Sequence, residues 1–396
     1  MKNKVVLIGA NNYNGLGLVR TFGMNGIRPY GIIVGREWRQ DKGFVSKSKF
    51  WQKTWFVDNA EDSIDCLLEN FSCEEEKPIV IAYVDKVAQL LDSRLDEFSK
   101  KFILPSINNK QNSINSFSSK LEQVYLLKQL GFNMMETEVI ILPQEDLKNE
   151  TYPIILKPVQ GGEGDKHDIS ICYDDIELAK KLDELTKKGY KRILKQPYLR
   201  TREEYVVLGA LDKKYNFCSY SILHNLRQYP KSFGVGCFSE YVNEEKDEKI
   251  FHYTQQLLQK IMDFGYSGSI DIELFKDEND RIYVNEINWR VSGRNFIALD
   301  TKVFSTLWWA MLQCGEELDF SRLKLINNSN GYTMKEFEDI KNVIFKQIRF
   351  RDWRKDYKKS TGFSVKSKQD RKPGRHLFWQ LIKRFLFKTG QNTNIE

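Results

Sequence analysis

Between residues 271 and 288 the chain gathers oxygen-bearing side chains on two short apolar runs, Asp271-Ile272-Glu273-Leu274-Phe275 and Ile282-Tyr283-Val284-Asn285-Glu286-Ile287-Asn288. A polar stretch, Asp277 to Arg281, separates them, so the pair reads as a β-hairpin. Alternation along a strand sets Asp271 with Glu273 on one face, and Glu286 with Asn288 on one face. The carboxylates of Glu273 and Glu286 with the amide oxygen of Asn288 form a hard, all-oxygen set. Such a set suits Mg2+ (or Mn2+) that also touches phosphate oxygens. The competing reading is a solvated polar face of a hairpin. Ile272, Leu274, Tyr283 and Ile287 argue against it, because they place the hairpin inside a domain.

Two further clusters could meet a phosphorylated ligand. Lys157 ends an apolar run and is followed by Pro158 and a glycine-rich stretch with Gly161, Gly162 and Gly164. A lysine there can reach phosphate oxygens, and glycines let backbone N–H groups come close to them. No Gly-Lys-Ser/Thr opens a helix, so this is not a Walker A loop. Lys195-Gln196-Pro197-Tyr198-Leu199 forms a joint-like segment whose backbone could meet an adenine edge. Glu203 or Glu204, a few residues on, could accept from ribose hydroxyls. Taken alone, these two glutamates read more simply as solvated surface.

The elements that must position these groups are legible in outline. Val5 to Ile8, a helical pattern from about Leu16 and a strand Tyr30 to Val34 make a β-α-β opening with a parallel sheet. A strand Ile79 to Tyr83 and a helix from about Val87 to Phe98 continue it. Gly9, Gly15 and Gly17 do not have the G-x-G-x-x-G spacing, which argues against a nicotinamide-dependent dehydrogenase. An amphipathic helix follows Ser118 and stops at Gly131. Strands at Glu138 to Leu142, Ile154 to Lys157 and Arg192 to Gln196, with a helix Ile176 to Lys187, form one group. Strands at Tyr205 to Leu211, Phe217 to Leu223, Gly268 to Phe275 and Arg281 to Ile287, with helices at about 246–263 and 302–314, form another. Tyr229 to Gly236 reads either as a hairpin turn or as a loop covering substrate, with Arg227 or Lys231 pairing with an acidic group.

In order and approximate spacing, Lys120, Lys157 with its glycine loop, Gln196-Pro197-Tyr198-Leu199, Glu203, Glu273 and Glu286-Ile287-Asn288 resemble the ATP-grasp superfamily across residues 115–295. The opening, Val5 to Arg20 and Gly26 to Tyr30, is similar to the domain that precedes it in bacterial carboxylate–amine ligases, including D-aspartate-ligase-like proteins. The resemblance implies an α/β chain: a Rossmann-like domain (1–112), a small ATP-grasp lobe (113–197), a large lobe with the metal and substrate site (198–325) and a basic C-terminal extension (326–396). It implies that Lys120 and Lys157 contact ATP phosphates, with Lys157 also catalytic. Lys195 to Leu199 would line the adenine pocket, Glu203 would hold the ribose, and Glu273, Glu286 and Asn288 would hold Mg2+. Arg290, Ser292 and Gly293 would face the acyl phosphate and substrate, with Arg290 catalytic. The implied reaction is ATP-dependent: a carboxylate becomes an acyl phosphate for attack by an amine, releasing ADP and phosphate. Envelope or polysaccharide precursors are the substrates that family and composition suggest. A non-catalytic ATP-binding or membrane-associated regulator is the alternative.

Composition bounds these readings. Of 396 residues, 41% are hydrophobic and 13% aromatic, enough to bury two or three domain cores. Six scattered cysteines without CxxC spacing suggest neither a zinc knuckle nor a disulfide framework. Residues 341–388 hold 16 Lys and Arg against 3 Asp and Glu, so the rest of this +7 chain is mildly acidic. The segment His376 to Lys388 has Leu377, Leu381 and Phe385 at helical spacing, with Lys383, Arg384 and Lys388 beside them. A helix docked on the body is one reading, and a helix lying on an anionic membrane surface is the other. No nucleic-acid-binding module is recognisable. The expected location is the cytoplasm, peripherally at the inner membrane surface if the second reading holds, because no apolar run reaches the roughly 20 residues that cross a bilayer.

Overall fold

The computed structural model describes residues 1–143, 150–159, 168–200, 202–231 and 234–391, with the helical course alone for 384–391. Among them the strands form three sheets. The first is parallel, in the order β3-β2-β1-β4, with β1 Val5–Ala10, β2 Tyr30–Val34, β3 Lys53–Val57 and β4 Ile79–Ala82. Parallel strands need both faces covered, hence the continuous apolar runs. The helix Tyr13–Met24 covers one face with Leu16, Leu18, Val19 and Phe22, and the helix Ala60–Phe71 covers the other with Ile64, Leu67 and Phe71. Asn12 caps the first helix by accepting from the backbone N–H of Asn14 (3.0 Å) and Gly15 (3.3 Å). The glycines that fail the dinucleotide spacing serve packing instead. A Cβ on Gly9 would lie 2.5 Å from the Tyr83 ring, and one on Gly17 would strike Asn295.

A short strand, β5 (Ser106–Ile107), leads into the small lobe. That lobe is an antiparallel sheet, β6-β9-β7-β8, of β6 Glu138–Ile141, β7 Ile154–Pro158, β8 Ser170–Cys172 and β9 Arg192–Pro197. The helix Asp175–Lys187 packs Leu178, Leu182 and Leu185 against it.

The third sheet is the largest. It runs β14-β13-β10-β11-β12-β15-β16, with β10 Arg202–Asp212, β11 Phe217–Tyr229, β12 Val235–Val242, β13 Tyr266–Asp277, β14 Ile282–Asn288, β15 Tyr332–Met334 and β16 Ser360–Phe363; β5 pairs with β13. One face of β13 sends Ile270, Ile272 and Leu274 into a core shared with Ile250, Leu257, Leu258 and Ile261 of the helix Glu248–Asp263. The other face carries Asp271 and Glu273.

Within the segment expected as a C-terminal extension (326–396), two strands, β15 and β16, are built into this sheet. β15 pairs antiparallel with β12, and β16 pairs parallel with β15. These strands span only three and four residues, too short for a period-2 pattern to register in the sequence. The segment is also tied to the N-terminal domain. Arg20 and Asp370 form a buried ion pair (3.0 Å), and Asp370 also accepts from Ser48 Oγ (2.8 Å). Arg227, expected as one of two residues that could pair with an acidic substrate group beside the 229–236 loop, lies in β11. Its guanidinium is clamped by Asp339 (2.7 Å) and Asp356 (2.8 Å), so it anchors this segment rather than facing the cleft. The described cysteines are all free, and no described helix is long and apolar enough to cross a membrane.

Candidate functional site

β13 and β14 pair in a register that sets Glu273 opposite Glu286 and Asp271 opposite Asn288. A bulge follows Glu273, and Leu274 pairs with Val284, so Asn285 is left without a ladder partner. Val284 and Ile287 can then both point into the core while Glu286 and Asn288 face the cleft with Glu273. The bulge also frees the Asn285 amide, which the sequence did not single out. It accepts from Lys157 Nζ (3.1 Å) and donates to Glu273 Oε2 (3.0 Å). β14 is held in place by Gln123, which exchanges two hydrogen bonds with the Ile287 backbone (2.8 and 2.9 Å). Gln123 sits one turn along the helix Lys120–Leu130, and so brings the Lys120 ammonium to 3.9 Å from Glu286.

Two connected cavities share Glu204, Gly234, Glu273, Phe275 and Glu286. The one nearer the small lobe, about 200 Å3, is lined by Lys120, Lys157, Gln196, Pro197, Tyr198 and Leu199. The other, about 400 Å3, is lined by Arg290, Ser292, Gly293, Arg294, Asn288 and Lys335, with Asn14 and Asp85 from the N-terminal domain. Arg290 pairs with Asp85 (2.7 Å) and lies 3.6 Å from Asp271.

Burial and charge set the electrostatics. Burial, and then the neighbouring Lys120, push the Lys157 ammonium down to about 8. Burial, then Glu286 and Asp271, push the Glu273 carboxyl up to about 7. Burial also raises Asp271, which is opposed by Arg290. Carboxylates crowded together in a low dielectric behave this way.

Several expected residues lie elsewhere. Strand alternation turns Lys195 away from Gln196, and its ammonium pairs with Glu138 (2.6 Å) and Glu150. Glu203 likewise faces away and pairs with Lys276 (2.7 Å), whereas Glu204 lines both cavities and accepts from Arg202 (2.9 Å). Lys231 is exposed and lines neither cavity, although Gly234 of the same hairpin lines both. Gly161, Gly162 and Gly164 lie outside the described residues. Arg294 and Lys335 were not singled out by the sequence. Arg294 stands only four residues past Arg290, but nothing near Lys335 signals a site.

With the fold and cleft in view, comparison defines the class. The chain has the ATP-grasp fold. The N5-carboxyaminoimidazole synthetase of Staphylococcus aureus superposes with a TM-score of 0.63 at 13% identity, covering 89% of this chain and 87% of that one. The L-amino acid ligase of Bacillus licheniformis gives 0.60 at 15% identity, covering 84% and 79%. The biotin carboxylase domain of the Hydrogenobacter thermophilus 2-oxoglutarate carboxylase, in complex with MgADP and bicarbonate, gives 0.61 at 19% identity, covering 83% and 73%. In sequence the chain is similar to the D-alanine–D-alanine ligase of Campylobacter concisus, 28% identical over 198 residues, which are 48% of this chain and 54% of that ligase. The chain thus spans about half the length of that curated relative. No protein-family model matches it.

Proposed function

We propose that the chain is an ATP-dependent ligase: it activates a carboxylate as an acyl phosphate, which an amine then attacks, releasing ADP and phosphate. The observation that carries this reading is the register of β13 and β14. It opposes Glu273 to Glu286 beneath Lys120 and Lys157, at the junction of the two cavities. Among the described residues no three His, Cys, Asp or Glu side chains close on one point. Two carboxylates with the Asn288 amide, completed by phosphate oxygens, are what Mg2+ takes in nucleotide sites. Glu273, Glu286 and Asn288 would hold Mg2+, which when bound neutralises phosphate charge. Lys120 and Lys157 would hold the phosphates, Gln196 to Leu199 the adenine, and Glu204 the ribose. Arg290 would steady the carboxylate and the charge that develops on it, with Ser292 and Gly293 beside it. Phosphoryl transfer asks for positioning and charge neutralisation rather than a protein nucleophile. The test is release of ADP from Mg-ATP by the purified chain with a panel of amino and hydroxy acids plus amines. Release that needs both an acid and an amine supports a ligase, and ATP binding without release under any acid overturns it.

The C-terminal helix supports a second reading, peripheral attachment to an anionic membrane. Its inner side docks on the body, where His376 (2.9 Å) and Gln380 (2.6 Å) bond to Asp41. Its outer side leaves Phe378 51% and Trp379 60% exposed beside a cleft of about 480 Å3 lined by Phe337, Ile340, Trp353, Tyr357, Leu381 and Ile382. Exposed aromatics amid basic residues suit a headgroup interface. Sedimentation with phosphatidylglycerol vesicles tests it.

A further inference from the structure

Arg290 lines the larger cavity with each of its three guanidinium nitrogens already engaged. Nε donates to Asp85 Oδ1 (2.7 Å), and Nη2 donates to Asp85 Oδ2 (3.3 Å) and Asn288 Oδ1 (3.5 Å). Nη1 donates to the carbonyl of Val291 (3.1 Å) and stands 3.6 Å from Asp271. Asp85 thus takes the guanidinium through two side-by-side N–H···O bonds, the fork that arginine offers to any carboxylate. A carboxylate arriving from solution finds that edge filled.

The pair joins two domains. Asp85 opens the helix Asp85–Ser93, and Arg290 stands two residues past β14. The domains are held together by other means. Val291, Leu307, Trp308 and Trp309 share a buried core with Leu16, Val19 and Phe22 of the first helix, and Asn295 Nδ2 donates to Asn14 O (3.1 Å). Beside that attachment one half-exposed ion pair adds little.

The partners are also unequal. The Asp85 side chain is 54% exposed and that of Arg290 only 16%. Asp85 can return to water at small cost, whereas Arg290 left without an anion would be a largely buried, unpaired cation. The other carboxylates on this cavity differ from Asp85. Glu204 accepts from Arg202 (2.9 Å), Glu273 from Asn285 (3.0 Å), Glu286 lies 3.9 Å from Lys120, and Asp271 is buried. Asp85 alone among these combines the two-pronged grip on Arg290 with a side chain that is half in solvent.

Resting on the ligase reading above, we infer that Asp85 is an internal competitor for the acid substrate: it occupies the Arg290 fork until the substrate carboxylate displaces it, and so it sets the affinity for the acid. Asp85 is then a positioning residue that acts through Arg290, and the N-terminal domain controls access to a group carried by the large lobe. The apparent affinity of a site falls with the fraction of molecules in which it is free. Removing the competitor should therefore tighten acid binding.

The test uses the full chain with ADP and Mg2+ and measures equilibrium binding of acetate, lactate and alanine. Asp85→Asn keeps the shape and removes the charge. It should bind at least one of these acids about tenfold more tightly than the parent, the gain expected if Asp85 holds the fork about nine-tenths of the time. ADP affinity should not change. Asp85→Glu, which can refill the fork, should stay near the parent. In an Arg290→Gln background the gain from Asp85→Asn should vanish, whereas a general relief of negative charge in the cavity would survive there. With substrates identified by ADP release, Asp85→Asn should lower the KM for the acid without raising kcat. Asp85→Ser repeats the measurements should the asparagine variant not fold. Acid binding no tighter than the parent's, or a gain that persists without Arg290, overturns the competition. A gain in acid affinity in a chain that releases no ADP with any acid sinks the ligase reading alone. ADP release with the acid KM unmoved in Asp85→Asn does the reverse.

Discussion

Glu273 and Glu286 stand directly opposite each other on antiparallel strands, with Asn285, bulged out beside them, bridging Glu273 to Lys157. Two carboxylates in that relation repel unless a cation lies between them. Glu286→Gln should therefore cut ATP turnover by about 10²-fold or more, because the charge lost is one that would face Mg2+. The metal-free protein should melt no lower than the parent, since a like-charge contact is relieved. Turnover close to the parent's in this variant would remove the assigned metal site.

Lys157 lines the cavity nearer the small lobe and, on the proposed reading, would meet an ATP phosphate. Lys157→Ala removes a charge-assisted contact worth about 1.5–3 kcal/mol, so ATP affinity should fall about tenfold or more in a calorimetric titration.

The same lysine predicts a pH dependence. Its folded value, about 8, lies below the ordinary 10.5, so the folded chain holds fewer protons than the unfolded chain between those values. Stability from this group is therefore least below pH 8 and rises as pH climbs from about 8 to 10.5. Phosphate binding needs the protonated form, so ATP affinity should decline above pH 8. Lys157→Met should flatten both slopes, and a variant that keeps them assigns the titration to another group.

Glu204, not Glu203, lines the cavities. Glu204→Gln should raise the KM for ATP several-fold, by about the 1 kcal/mol of one hydrogen bond. Glu203→Gln should leave it nearly unchanged, and the opposite ranking would show that the strand is turned the other way.

Arg227 should matter to stability rather than to substrate. Asp339 is fully buried beside it, so Arg227→Ala leaves an unpaired internal charge and should cost about 3–5 kcal/mol in denaturant unfolding. A variant of parental stability with weakened acid affinity would restore the substrate role first expected of it.

Phe378 and Trp379 carry the membrane reading. Changing both to Ser should abolish sedimentation with anionic vesicles while ATP affinity stays at the parental level. Truncation is a poorer test, because removing residues from 370 onward also takes away Asp370, the buried partner of Arg20.

What the sequence determined is what local pattern can encode. Period-2 alternation put Glu273 on one face of its strand, and Glu286 with Asn288 on one face of theirs. Apolar runs separated the parallel N-terminal sheet from the antiparallel lobes, and the order of charged residues pointed to the ATP-grasp fold. Tertiary structure decided the rest, because it depends on register and on contacts distant in sequence. Between Glu203 and Glu204, adjacent and chemically alike, only the pairing of β10 with β13 chose which one faces the cleft. Asn285 gained its role from a bulge, and Arg227 lost its expected one to carboxylates more than a hundred residues away. Lys335 has no local signal at all. A three-residue strand, recognisable only once β12 is there to pair with it, carries its ammonium into the cavity.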